Sequence, residues 1–222
     1  MTDLHFYFDF ISPYAYFAAL DLPELCERRD ARLHYHPVVF AGLLNHWGQL
    51  GPAEIPPKAM HTLRTTVRHA RNRGIPFKPP RFHPYRPITS LRLALPEVCG
   101  DAQAAVVEAI FKAGWGAGID LGSADDLAMC LTEAGMDGAE LIARTGKDEA
   151  KAALIRETET AISRGVFGVP SFWLETDGGP ELLWGYDMLA QLEAVLAGED
   201  PLKAVDWSEI ANEGPAVQRK RP

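Results

Sequence analysis

The run Leu4-His5-Phe6-Tyr7-Phe8-Asp9-Phe10 is dense in aromatic rings and stops at Ser12-Pro13, so it reads as a buried strand that hands directly over to a helix. Serine caps a helix by accepting from an orphan N–H of the first turn, and proline fits the first helical position because its missing N–H is not needed there. A helix is expected over Tyr14 to Arg28, with Phe17, Ala18, Leu20 and Leu25 on its buried face and Pro23 as a kink or break. Arg32 to Val39 reads as a second strand. Strand, helix, strand in this order predicts a right-handed parallel unit.

From about residue 40 to 165 the pattern changes. A Gly/Pro-rich stretch, Gly42 to Pro57, leads into a basic helix with Lys58, Arg64, Arg68, Arg71 and Arg73 that ends at Gly74. A proline-dense loop (Pro76, Pro79, Pro80, Pro84, Pro87) follows. Helices are then expected over Ser90 to Cys99, Ala102 to Ala113, Asp125 to Ala134 and Glu149 to Arg164, with a short one over Asp137 to Arg144. After this block the chain returns to β structure. Ser171 to Glu175 and Glu181 to Trp184 flank the turn Thr176-Asp177-Gly178-Gly179 as a hairpin, and Asp187 to Leu196 is a closing helix. The division implied is 1–40 with 166–200 as one α/β unit, 41–165 as an all-helical insertion, and 201–222 as a tail ending in Arg219-Lys220-Arg221.

Composition removes several functions. The formal net charge of −8 argues against nucleic acid or an anionic membrane as main partner, and 47% apolar residues is ordinary for a globular protein. No apolar stretch is long enough to span a bilayer, and the N-terminus lacks a secretory signal pattern, so a cytosolic protein is expected. Cys26, Cys99 and Cys130 form no CxxC pair, which fits free thiols rather than a disulfide framework or a zinc site. His34 and His36 share one strand face but have no third ligand at suitable spacing, so a structural role is expected, and the arginines of the basic helix read as a solvated face. Trp173 and Trp184 are expected in the core or in a pocket wall.

Three segments carry chemistry. Ser12-Pro13-Tyr14-Ala15 sits at the strand-to-helix junction where thioredoxin-fold oxidoreductases carry Cys-Pro-x-Cys, but serine and alanine replace both cysteines. Without a thiol the site cannot cycle a disulfide; a helix N-terminus and one hydroxyl remain, able to stabilise a thiolate brought by another molecule. Gly165-Val166-Phe167-Gly168-Val169-Pro170-Ser171-Phe172 places Pro170 at the start of a strand, and a cis Val169–Pro170 bond is expected to expose the Val169 backbone to a thiol peptide. Trp184-Gly185-Tyr186-Asp187 opens the last helix, where backbone N–H groups suit a carboxylate and Asp187 suits an amine. Taken singly, each has a plain structural explanation as a cap or turn.

Together with Phe8-Asp9-Phe10-Ile11 and Gly74-Ile75-Pro76-Phe77, these segments resemble the family of 2-hydroxychromene-2-carboxylate isomerases and kappa-class glutathione transferases, a DsbA-like branch of the thioredoxin superfamily, over about residues 4 to 198. The resemblance implies a thioredoxin fold with a helical domain inserted after the second strand, glutathione as cosubstrate, and a homodimer. It makes Ser12 the partner of the glutathione thiolate, Val169 and Pro170 a backbone clamp, Tyr186 and Asp187 the contacts of the γ-glutamyl end, and Lys58 with Gln49 the contacts near the glycyl end. Tyr14, Tyr85 and Arg86 are the expected substrate neighbours. Two departures are visible: Gly48-Gln49-Leu50-Gly51-Pro52 stands where kappa-class relatives often show Gly-Asn-x-Pro-Pro, and Pro84-Tyr85-Arg86 stands where isomerase-like relatives have Pro-Phe-Asn. The expected reaction interconverts 2-hydroxychromene-2-carboxylate and trans-o-hydroxybenzylidenepyruvate. Conjugation by a kappa-like transferase and peptide binding by a redox-inactive thioredoxin-fold protein are the alternatives, and disulfide oxidoreduction is disfavoured.

Overall fold

A computed structural model describes residues 1–206; the basic end of the expected tail, Arg219-Lys220-Arg221, lies outside the described residues. The strands are β1 (Thr2–Phe8), β2 (Ala31–Pro37), β3 (Ser171–Thr176) and β4 (Gly179–Trp184), in the spatial order β2-β1-β3-β4. β1 runs parallel to β2 and antiparallel to β3, with Phe6 opposite both Tyr35 and Phe172. Helix α1 (Pro13–Arg28) makes the crossover between β1 and β2, and α10 (Leu189–Leu196) closes the chain's α/β part. This is the expected thioredoxin fold: a four-stranded mixed sheet interrupted after β2 by α2 (Phe40–Trp47), α3 (Pro56–Arg73), α4 (Ile88–Leu93), α5 (Pro96–Cys99), α6 (Gln103–Phe111), α7 (Ala124–Glu133), α8 (Gly138–Thr145) and α9 (Asp148–Ser163).

The two-residue period of β1 divides its side chains between two cores. Leu4, Phe6 and Phe8 are fully buried against Phe17 and Leu22 of α1 and Phe111 of α6, while Tyr7 faces Val38, Leu43, Ala161 and Val166 on the other side. Each such ring removed from water contributes about 1.5–3 kcal/mol. The main core runs without interruption from the sheet into α4, α6, α7 and α9, so the helices also form the wall behind the N-terminus of α1.

Some boundaries differ from expectation. The Gly/Pro-rich stretch Gly42 to Pro57, for which the sequence predicts no element, contains most of α2, whose stop is Gly48 in the left-handed conformation (φ 62°). Gly42 lies where α2 meets α9, and a Cβ there would stand 3.2 Å from Thr158 Cγ2, so a small residue suits the contact. The helix expected over Ser90 to Cys99 is two short ones, because Leu95, preceding Pro96, is pushed into the extended region. Pro23 lies at an exposed position within α1 without breaking it.

The outer face of β1 and β2 carries a stack of histidines. His5 lies 5.0 Å from both His34 and His36 between ring centroids, its Nδ1 is 2.8 Å from His36 Nε2, and His36 Nδ1 is 2.7 Å from Glu157 Oε2. His34 Nε2 is 2.8 Å from Asp3 Oδ1, so both strand histidines are engaged in hydrogen bonds within the fold. Among the described residues no group of three or more His, Cys, Asp or Glu side chains is arranged to hold a metal ion. Burial, then the charge of His36, depress the pKa of His5 to about 4. The unfolded chain takes up that proton near 6.5, so the contribution of His5 to stability is complete above that pH and is lost as pH falls toward 4. His5→Phe is therefore expected to lose less stability than wild type between pH 6.5 and 4, read as the difference in urea midpoints; parallel midpoint curves would remove His5 from the acid response.

Candidate functional site at the N-terminus of helix α1

The turn between β1 and α1 is fastened on every side. Ser12, only 8% exposed, is the N-cap of α1. Its Oγ accepts from Ala15 N at 3.2 Å, and its hydroxyl points at the Val169 carbonyl oxygen, 3.5 Å away. Ser12 N donates to the Asp9 carbonyl at 3.0 Å. The two carbonyls between them are taken by side chains from the helical insertion: Trp115 Nε1 donates to Phe10 O at 2.8 Å and His83 Nε2 to Ile11 O at 2.9 Å. Trp115 belongs to a π-helical turn, Lys112–Ala117, that extends α6; such turns recur at functional sites because they re-aim side chains.

The expected clamp stands beside Ser12. Val169–Pro170 is cis, as is His83–Pro84. Gly185 N donates to Pro170 O at 3.0 Å, tying the turn after β4 to the clamp, and Ser171 Oγ donates to Gly168 O at 2.7 Å. Gly168 must be glycine for the half-exposed Trp184 indole to lie on it: a Cβ would stand 2.4 Å from Trp184 Nε1. Gly185 has φ 108° and lies under the carboxylate of Asp187, where a Cβ would meet Oδ1 at 2.5 Å.

Of the residues singled out from sequence, Ser12, Val169 and Pro170 are in or next to contact, and Asp187 lies near enough to Tyr14 for its charge to act on that phenol. Burial, and then the negative charge of Asp187, raise the pKa of Tyr14, which keeps this half-buried phenol a neutral donor. The Tyr186 side chain turns elsewhere. Its hydroxyl donates to Asp21 Oδ2 at 2.7 Å, receives a hydrogen bond from Arg73, and lies 3.1 Å from His69 Nε2, with its ring against Phe17. Arg73 grips Asp21 with two bonds of 2.7 Å, which ties α1 to α3, and it is exposed like Arg64, Arg68 and Arg71. Gln49 and Lys58 are exposed at the α2–α3 connection and at the start of α3, and Arg86 is exposed on the proline-rich loop; among the described residues none of the three side chains is bonded to the Ser12 cluster. Tyr85 lies beneath that loop with its hydroxyl buried and unpartnered among the described residues. Two clefts, of about 330 Å³ beside Asp21 and Arg73 and about 500 Å³ beside His5 and Trp173, are not lined by Ser12.

Sequence reasoning missed Asp9, His83 and Trp115, which hold the Ser12 turn. A lone aspartate among the aromatics of Phe8-Asp9-Phe10 was the available signal, since a buried carboxylate needs donors. Nothing local marks His83 or Trp115. Burial pushes the thiols of Cys26, Cys99 and Cys130 up to about 11, and all three are unpaired, which leaves them poor nucleophiles.

A family model of the DSBA-like thioredoxin domain matches residues 3–197. The chain belongs to that family. It is 30% identical over 197 residues to a 2-hydroxychromene-2-carboxylate isomerase of Sphingobium xenophagum, covering 87% of this chain and 97% of that one. It is 27% identical over 211 residues to glutathione S-transferase kappa 2 of Caenorhabditis elegans, covering 89% and 92%. Among solved structures, a 2-hydroxychromene-2-carboxylate isomerase superposes with a TM-score of 0.78 at 25% identity, over 95% of this chain and all of that one. This DSBA-like chain is thus related to isomerases and to glutathione-related proteins, and it has no cysteine at the junction of β1 and α1.

Proposed function

We propose that the protein is a glutathione-dependent isomerase of 2-hydroxychromene-2-carboxylate and similar aromatic 2-oxo acids. The observation that carries this reading is Ser12: a helix-capping hydroxyl beside the cis Val169–Pro170 backbone, where no thiol of the chain itself is available. The residues fit a bound thiol tripeptide. The glycines at 168 and 185 let Trp184 and the Asp187 carboxylate lie close against the backbone beside the clamp, and Val169 N–H and C=O lie at a strand start where an extended peptide can pair. Glutathione, when bound, supplies a thiolate able to add reversibly to a conjugated double bond.

The chain's own residues do the rest. The N-terminus of α1 and the Ser12 hydroxyl stabilise negative charge on sulfur, the hydroxyl by donating to it in place of Val169 O. Val169 and Pro170 align the peptide, and Asp187 with the backbone of the Gly185–Tyr186 turn receives an amine and a carboxylate. Lys58 and Gln49 reach the far end, which requires them to move from the exposed positions they hold. Tyr14 offers a neutral phenol donor to the substrate and Arg86 a cation for its carboxylate, while Tyr85, whose hydroxyl is buried, donates to substrate only if its loop moves. The three unpaired cysteines suit a cytosolic setting, and exposed Leu50, Met60 and Leu63 around the start of α3 offer apolar surface for the second copy of a homodimer.

The test is to mix the protein with 2-hydroxychromene-2-carboxylate and follow appearance of trans-o-hydroxybenzylidenepyruvate with and without glutathione. Isomerisation that requires glutathione and leaves it unconsumed is expected. A stable glutathione adduct would mean a kappa-like transferase, and absence of glutathione binding would point to a peptide-binding protein.

A further inference from the structure

Asp9 is 1% exposed, and the mechanism above does not use it. Its Oδ1 accepts from Ile11 N and its Oδ2 from Phe40 N, each at 3.0 Å. Among the described residues no lysine or arginine is bonded to it. A buried carboxylate held only by two backbone donors is costly, and a smaller polar residue capping one N–H would cost less. The two N–H groups come from different segments and each meets its own oxygen, and an ionised carboxylate accepts from both without placing a donor against either. One segment is the turn that carries Ser12, whose own N–H is bonded to the Asp9 carbonyl; the other is the first residue of α2, the helix that leads to Gln49 and Lys58.

We propose that Asp9 is a positioning residue for Ser12: its buried carboxylate pins the Ser12 turn to the start of α2, and the proton it can bind loosens that pin. A neutral carboxyl turns one oxygen into an O–H donor facing an N–H, so one of the two bonds weakens. The proton is within reach near neutrality, because burial raises the pKa of Asp9 to about 7 against the two backbone donors. The titratable groups around it are few. From the proline-rich loop come the unpartnered hydroxyl of Tyr85, kept neutral by burial and by the charges of Asp9 and Asp120, and His83, which is bonded to Ile11 O. Asp120 follows the π-helical turn and faces Tyr85, while α2 contributes only Phe40 N at this point. The ionised state is the one that holds Ser12, so the site is tightest above neutral pH.

The catalytic part of this inference rests on the isomerase reading; the structural part does not. In the full-length protein the amide resonances of Ile11 and Phe40 are expected to titrate together with one midpoint near 7 in a series of nitrogen–proton correlation spectra. Flat shifts, or a midpoint near that of an ordinary carboxyl, would overturn the proposal whether or not the protein isomerises anything. Asp9→Asn, which imitates the protonated state, is expected to abolish that shared titration. Its turnover is expected to follow the low-pH plateau of wild type, with the inflection near 7 missing and the inflection due to the thiol retained. A folded Asp9→Asn protein with an unchanged pH–rate profile would also overturn it. Should the variant not fold, the wild-type titration alone decides.

Discussion

Replacing Ser12 by alanine should lower turnover with glutathione by roughly ten- to a hundredfold near neutral pH while leaving most of the fold intact. The reason is selective: a hydroxyl donates more strongly to charged sulfur than to neutral thiol, and a hydrogen bond to a charged group contributes about 1.5–3 kcal/mol. Removing it should raise the pKa of the bound thiol by about one to two units, which ultraviolet titration of the thiolate reads directly. The N-terminus of α1 remains, so activity should recover partly at high pH. Ser12 also caps α1 through Ala15 N, so about 1 kcal/mol of stability goes with it, or ~2–4 °C in melting temperature for a chain of this size. Ser12→Cys separates the two roles. It puts a thiol where the glutathione sulfur binds, with no second cysteine at Ala15; attack of its thiolate on added oxidised glutathione forms a mixed disulfide and releases one glutathione thiolate, and this adduct should accumulate rather than cycle, visible as a glutathione-sized mass increase. An unchanged thiolate midpoint with unchanged turnover in Ser12→Ala would rule out the proposed role.

The largest single-residue effect on stability is expected far from the site, at Gly138. It opens α8 directly against α7, and a Cβ there would lie 2.0 Å from the Ala128 carbonyl oxygen and 2.8 Å from Thr132 Oγ1. The obstacle is main chain inside a helix, which cannot swing aside as a side-chain tip can. α7 and α8 would have to part, opening the packing of Leu127, Leu131 and Leu141. Gly138→Ala should cost roughly 3 kcal/mol and ~6–12 °C in melting temperature. The control is at the other end of α8. Gly146 has φ −77°, and its nearest neighbour to a Cβ is 3.6 Å away, so Gly146→Ala should be neutral or stabilise by about 0.4–1 kcal/mol. Similar melting temperatures for the two variants would mean that α7 and α8 adjust freely.

The sequence by itself determined the elements that local chemistry controls. The aromatic run wrote β1, Ser12-Pro13 wrote the start of α1, Gly74 wrote the end of α3, and Thr176 to Gly179 wrote the hairpin turn. The absence of thiols at positions 12 and 15, and with it the loss of disulfide chemistry there, was equally legible. The order of these pieces gave the α/β class, and the thioredoxin fold rested on the motifs at the β1–α1 junction and around Pro170.

Tertiary structure decided what depends on encounters between distant segments. Tyr186 follows a readable Gly-x-Asp turn, yet its hydroxyl goes to Asp21 and Arg73, residues more than a hundred positions away, because the Phe17 ring and α3 leave it that direction. Arg73 looked like one more solvated cation of a basic helix until Asp21 stood opposite it. The carbonyls of Phe10 and Ile11 needed donors once buried, and only the folded chain shows that Trp115 and His83 supply them. Side-chain pattern reports which face of an element is covered; it carries no record of which distant group covers it, and at this site those distant groups hold Ser12 in place.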